Sequence, residues 1–136
     1  MRPIALLLCL SLAAAAPRQQ LPTLSPAQAI SRAAALPTPV RALFQFRVAR
    51  AAKSRDGYYL DSEKDFRSPA NLGVVIRAAA MPGLTKKFGA DLQAAFVGKT
   101  VKLIGQVSRR SVGGKGGSAT ATQVEITHAG QILSVG

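Results

Sequence analysis

Residues 58–76 read YYLDSEKDFRSPANLGVVI, Tyr58 to Ile76. The first four residues are strand-like. Ten residues follow, eight of them charged or turn-forming, and Ser68-Pro69 disfavours helix at that point. Leu72 to Ala78 then resumes as a β-rich apolar run. Two strands joined by a polar elbow are the arrangement of a chain that curves sharply from one strand into the next.

Working back toward the N-terminus, the pattern has a period of two. Val40, Ala42, Phe44, Phe46 and Val48 alternate with Arg41, Leu43, Gln45, Arg47 and Ala49. Such alternation predicts a half-buried strand with the phenylalanines inward. AAKSRDG (51–57) ends it, with Asp56-Gly57 as a hairpin turn signal. Tyr58 to Ser62 is the second strand, and Leu72 to Ala78 the third.

Toward the C-terminus, Leu84, Phe88, Leu92, Ala95 and Phe96 recur at helical spacing. They predict one helix from about Pro82 to Phe96, interrupted by Gly83 and Gly89 and capped near Gly98. KTVKLIGQVSRR (99–110) returns to period two, with Gly105 marking a bulge or bend. SVGGKGGSAT (111–120) reads as a long loop, and the remainder as a last strand bent near Ala129-Gly130.

The N-terminal segment divides differently. MRPIALLLCLSLAAAA (1–16) has a basic start, an apolar run and a small-residue exit, the layout of a secretory signal peptide. Its apolar run is too short for a membrane span of about 20 residues. Cys9, the only cysteine, lies inside that run. The mature chain therefore has no thiol, and the expected location is the periplasm or the extracellular space. Residues 17–39 read as a linker carrying a short helix, with Ser25 as N-cap and Pro26 at the first helical position. Residues 40–136 form the folded domain.

The chain carries 18 Lys and Arg against 6 Asp and Glu, a net charge of +12. That balance favours polyanionic partners such as nucleic acid, anionic lipid or acidic polymers.

The order of elements is strand, strand, strand, helix, strand, strand. It predicts a mainly β fold: a five-stranded OB-fold Greek-key barrel, with one helix between strands 3 and 4 and a short N-terminal helix outside it. YYLDSEKDFRSPANLGVVI, KKFGAD (86–91), FVGKTVKLIGQVS (96–108) and TQVEITHAGQI (122–132) together resemble small exported bacterial OB-fold proteins of the nucleic-acid-binding type, which also occur beside thermonuclease-like proteins. The resemblance covers Phe44 to Val135. The chain departs from the pattern where LPTPVRALFQF (36–46) lacks a Gly-Lys lead-in, and where the glycine-lysine insert lengthens the last loop.

An OB barrel binds oligomers across its second and third strands, flanked by two loops. The first loop here would carry Arg50, Lys53 and Arg55, and the second Arg109, Arg110 and Lys115. The barrel would bring both loops to one side. Tyr58 and Tyr59 are adjacent, so in a strand they face opposite ways. Tyr58 is the stacking candidate; that both are structural is the plainer alternative. Asp61, Glu63 and Asp65 alternate along a strand end and raise the possibility of a metal-dependent nuclease with Arg67 or Arg77 at the phosphate. Ordinary salt bridges to Lys64 and Arg67 are the simpler account. His128 is the only histidine, so no multi-histidine metal site is expected, and GGKGGS (113–118) lacks P-loop spacing.

The expected function is therefore that of an exported, non-catalytic binding module without cofactor or metal. Its expected partner is single-stranded nucleic acid or another polyanion, met through basic loops. The alternative is a cell-envelope interaction module that contacts protein, acidic glycan or anionic lipid. A metal-dependent nuclease is third.

Overall fold

The structure, a computed structural model, describes residues 20–55, 57–112 and 119–136. The expected leader (1–16), the turn residue Asp56 and the loop residue Lys115 lie outside the described residues. Among the described residues, eight strands and three α-helices form in the order β1 (Thr23–Leu24), α1 (Pro26–Ala35), β2 (Val40–Arg47), β3 (Arg50–Ser54), β4 (Gly57–Asp61), β5 (Leu72–Arg77), α2 (Met81–Phe88), α3 (Leu92–Phe96), β6 (Thr100–Val112), β7 (Ala119–Ile126) and β8 (Ile132–Val135). Short 3-10 turns at Ala78–Ala80 and Ala129–Gln131 precede α2 and β8.

This corrects the expectation of a five-stranded barrel with one helix between its third and fourth strands. All eight strands belong to one mixed sheet, ordered β1-β2-β6-β7-β5-β4-β3 with β8 beside β6, and the sheet is not closed into a barrel. The pairs β1–β2 and β5–β7 are parallel and the others antiparallel.

The first physical reason lies at Val48-Ala49. The run 40–54 changes partners there, so what reads as one strand and a loop is two strands. β2 pairs along its whole length with β6, Val40 opposite Val107 and Arg47 opposite Thr100. Val48 N–H donates to Lys99 O and its carbonyl accepts from Gly98 N–H, whereas Ala49 N–H turns to Asp61 O. From Arg50 onward the chain pairs with β4 instead.

The second reason lies in the helical segment. Gly89 adopts φ +95°, a conformation that glycine reaches at no steric cost and that ends α2. Asp91 then caps α3, its Oδ1 accepting from Ala94 N–H at 3.1 Å. One expected helix becomes two. Gly98, at φ +81°, follows α3 and turns the chain toward β6.

α1 forms at Pro26–Ala35, with Ser25 and Gln28 in a reciprocal capping box. Its small residues Ala29 and Ala33 are buried and let it lie close against the sheet. Phe44, Leu60, Leu72, Val74, Ile76, Leu84, Phe96, Leu103, Val124 and Ile126 build the core beneath it. Among the described residues, no helix is long and apolar enough to cross a membrane.

Candidate nucleic-acid interface

The core settles which face of the sheet is free. Leu60, Val74, Val124 and Val107 are fully buried and line the inner face. Residues of opposite parity therefore stand on the outer face: Tyr59 on β4, Val75 and Arg77 on β5, Gln123 and Glu125 on β7, and Ser108 and Arg110 on β6. Arg50 on β3 joins them opposite Asp61.

Three arginines from three strands are fixed on this face by two carboxylates. Arg50 Nη1 donates to Asp61 Oδ2 at 2.8 Å. Arg77 Nε donates to Glu125 Oε1 at 2.8 Å, and Arg110 Nη2 to Glu125 Oε2 at 3.0 Å. The side chains of Arg50, Arg77 and Arg110 nevertheless remain 38%, 36% and 46% exposed. The guanidiniums of Arg50 and Arg110, each held at one edge, keep their remaining N–H donors for another acceptor. The hydrogen bond from Arg77, with the positive charge of Arg77 and Arg110, holds the Glu125 carboxyl below the usual glutamate range despite partial desolvation.

Asp61 is almost fully buried and needs more than Arg50. Asn71 Nδ2 donates to Asp61 Oδ1 at 3.0 Å and to Phe66 O at 3.3 Å. Asn71 Oδ1 accepts from Glu63 N–H at 3.0 Å, and Ser62 Oγ accepts from Leu72 N–H at 2.8 Å. Asp65 Oδ1 accepts from Arg67 N–H at 2.9 Å. The polar elbow between β4 and β5 is thus a hydrogen-bonded cap over a buried carboxylate. Asp61, Glu63 and Asp65 do not converge on one point, and the described residues contain no cluster of three or more His, Cys, Asp or Glu side chains able to hold a metal ion.

On this cap Phe66 is half exposed, at 50%. The Arg50 guanidinium lies 5.0 Å from its ring centroid and the Arg67 guanidinium 5.3 Å, both within cation–π range. The sequence reading passed over Phe66. Its one signal was an aromatic residue among charges, with no apolar neighbour at strand or helix spacing.

The residues expected to bind are distributed as follows. Arg50 and Lys53 are on β3, not in a loop, and Arg55 is in the exposed β3–β4 turn. Arg109 and Arg110 lie on β6, which runs to Val112. Arg109 Nη2 donates to Thr120 Oγ1 across the β6–β7 hairpin at 2.9 Å. Tyr58 lies on the core side opposite Ile76, and Tyr59 is the outward tyrosine. Burial, and secondarily the charge of Asp91, pushes the Tyr58 phenol up.

The two basic groups do not come to one side. Because β5 and β7 run parallel, the β3–β4 turn stands at the Arg77 end of the sheet and the β6–β7 connection at the Leu72 end. The outer face lies between them, about 20 Å along the strands.

His128 is exposed and Gln131 fixes the turn beside it, its Oε1 accepting from Thr127 N–H at 2.7 Å and its Nε2 donating to Ile104 O at 3.0 Å. An open groove of about 440 Å³ runs past Arg41, Gln106, Arg110, Glu125 and His128. The chain matches no known family model and no curated protein.

Proposed function

We propose that this protein is a non-catalytic binding module that takes single-stranded nucleic acid across the outer face of β3, β4, β5, β7 and β6. The observation that carries the reading is the set Arg50, Arg77 and Arg110. These are three half-exposed guanidiniums on one face, each pre-oriented by a carboxylate. Pre-orientation lowers the side-chain entropy lost when a phosphate is bound. Arg55, in the turn at one end of this face, extends the positive field along the path of a phosphate backbone, whereas Lys53 and Arg109, opposite Tyr58 and Thr122, stand on the other side of the sheet. Twelve of the fifteen described Lys and Arg residues form no bridge to a described carboxylate, so the field is largely uncompensated.

The test is a fluorescence-anisotropy titration with a labelled single-stranded oligonucleotide at several salt concentrations. Each neutralised phosphate of a single strand contributes about −0.7 to the slope of log K against log salt. The four contacts of Arg50, Arg55, Arg77 and Arg110 predict a slope of about −3. Arg55→Ala and Arg110→Ala should each flatten it by about 0.7, and Lys53→Ala with Arg109→Ala, on the other side of the sheet, should leave it nearly unchanged. Absence of binding at low salt would overturn the reading. Equal displacement by heparin and by unlabelled oligonucleotide would remove nucleic acid as the preferred polyanion.

A further inference from the structure

Phe66 is a large apolar side chain left half in water on a loop that is otherwise fixed. Its own carbonyl is held by Asn71, and the residues on either side are pinned through Asp65, Ser68 and Ser62. An exposed ring on a mobile loop would have little to offer a ligand, because ordering the loop would cost much of the binding free energy. Here that ordering is already complete.

The ring's neighbours differ in how they are held. Arg50 is anchored by the buried Asp61 at 2.8 Å. The Arg67 guanidinium is exposed and makes no hydrogen bond or ion pair with any described residue; its contact is the ring itself. A planar group arriving at Phe66 can therefore displace Arg67 without breaking a charged pair. The displaced guanidinium is left beside the incoming ligand, free to meet an anion.

We infer that Phe66 is a base-stacking platform, on which one nucleobase lies against the ring while Arg67 and Arg50 hold the adjoining phosphates. This rests on the proposed function and adds a nucleobase to it, whereas the arginine face by itself recognises only phosphate. A flat π-system is what a half-exposed aromatic flanked by guanidiniums accepts best, since each base presents a π-face and its phosphates complement the two cations.

The chain contains no tryptophan, so Phe66→Trp introduces a single fluorescent reporter at the platform. The full-length variant is titrated with a 12-mer oligothymidylate and with an abasic 12-mer of the same phosphate number. Affinities are measured in parallel for the unsubstituted chain and for Phe66→Ala. Stacking predicts that oligothymidylate quenches the tryptophan and the abasic strand does not. It predicts that Phe66→Ala weakens oligothymidylate binding about tenfold and leaves the abasic strand unchanged. Phe66 is exposed, so neither substitution threatens the fold. If both strands bind equally and neither quenches, the platform is overturned and the phosphate-binding face stands. If neither strand binds the unsubstituted chain at low salt, both are overturned.

Discussion

A carboxylate as buried as Asp61 must be matched by hydrogen bonds, since an unpaired buried charge costs several kcal/mol. Arg50 and Asn71 supply that match from opposite sides. Asn71 also satisfies Glu63 N–H and Phe66 O, so one side chain closes the elbow. Asn71→Ala leaves Asp61 Oδ1 and the Glu63 amide without these partners. The expected loss is about 2–3 kcal/mol, read from the urea midpoint. A loss below about 0.5 kcal/mol would show that water replaces the amide. Little of this was legible beforehand. Alternation put Asp61, Glu63 and Asp65 on one face, and it could not report that Asp61 is the last residue of a strand, tucked under its own loop. The two tyrosines were legible as a pair facing opposite ways, but which one faces out depended on Leu60 being the core residue next to them.

At the scale of elements, the period-two pattern was read correctly where a strand pairs along its whole length with one regular partner, as β2 does with β6. β2 carries buried Phe44 and Phe46 against exposed Arg41, Gln45 and Arg47, as the alternation indicates. β3 was invisible, because AAKS (51–54) has too little contrast between apolar and polar positions. Its partner Tyr58–Leu60 is what makes it a strand. The glycine signals carried more than their composition suggested. Gly57, at φ +153°, packs so closely on β5 that an added Cβ would collide with the Ile76 carbonyl. Backbone cannot yield as a side-chain tip can. Gly57→Ala should therefore cost roughly 2–3 kcal/mol in a chemical denaturation curve. An unchanged midpoint would mean that the β4–β5 ladder shifts to make room. Gly89, whose Cβ would meet nothing within 4 Å, restricts only through its positive φ.

Across the whole molecule, the excess of positive charge was plain from composition, but its arrangement was not. Opposite ends for the two basic groups follow from the parallel pairing of β5 and β7, a long-range contact with no local signal. Glu125 ties that pairing to β6, because it binds an arginine on each side. Its folded pKa lies below the ordinary glutamate value of 4.5. The bridge therefore adds stability above that value, and the contribution disappears as pH falls through the depressed folded value. More than a third of each side chain is exposed, so solvent screening limits the effect to under about 1 kcal/mol. Glu125→Gln should narrow the difference in urea midpoint between pH 7 and pH 3 relative to the unsubstituted chain. Parallel curves for the two proteins would show that the bridge contributes nothing net.

The sheet's strand order also bears on how the chain matures during synthesis. β2 has only the two-residue β1 beside it until β6 arrives on its other side, and β5 has β7 on its far side. Both partners are translated after residue 99. While the last quarter or so of the chain is still being made, the finished part holds two strands with open edges, and β3, β4 and β5 can form only a short antiparallel meander. Such edges are templates for pairing with other chains. A nascent chain stalled near residue 98 is thus the form most in need of a chaperone.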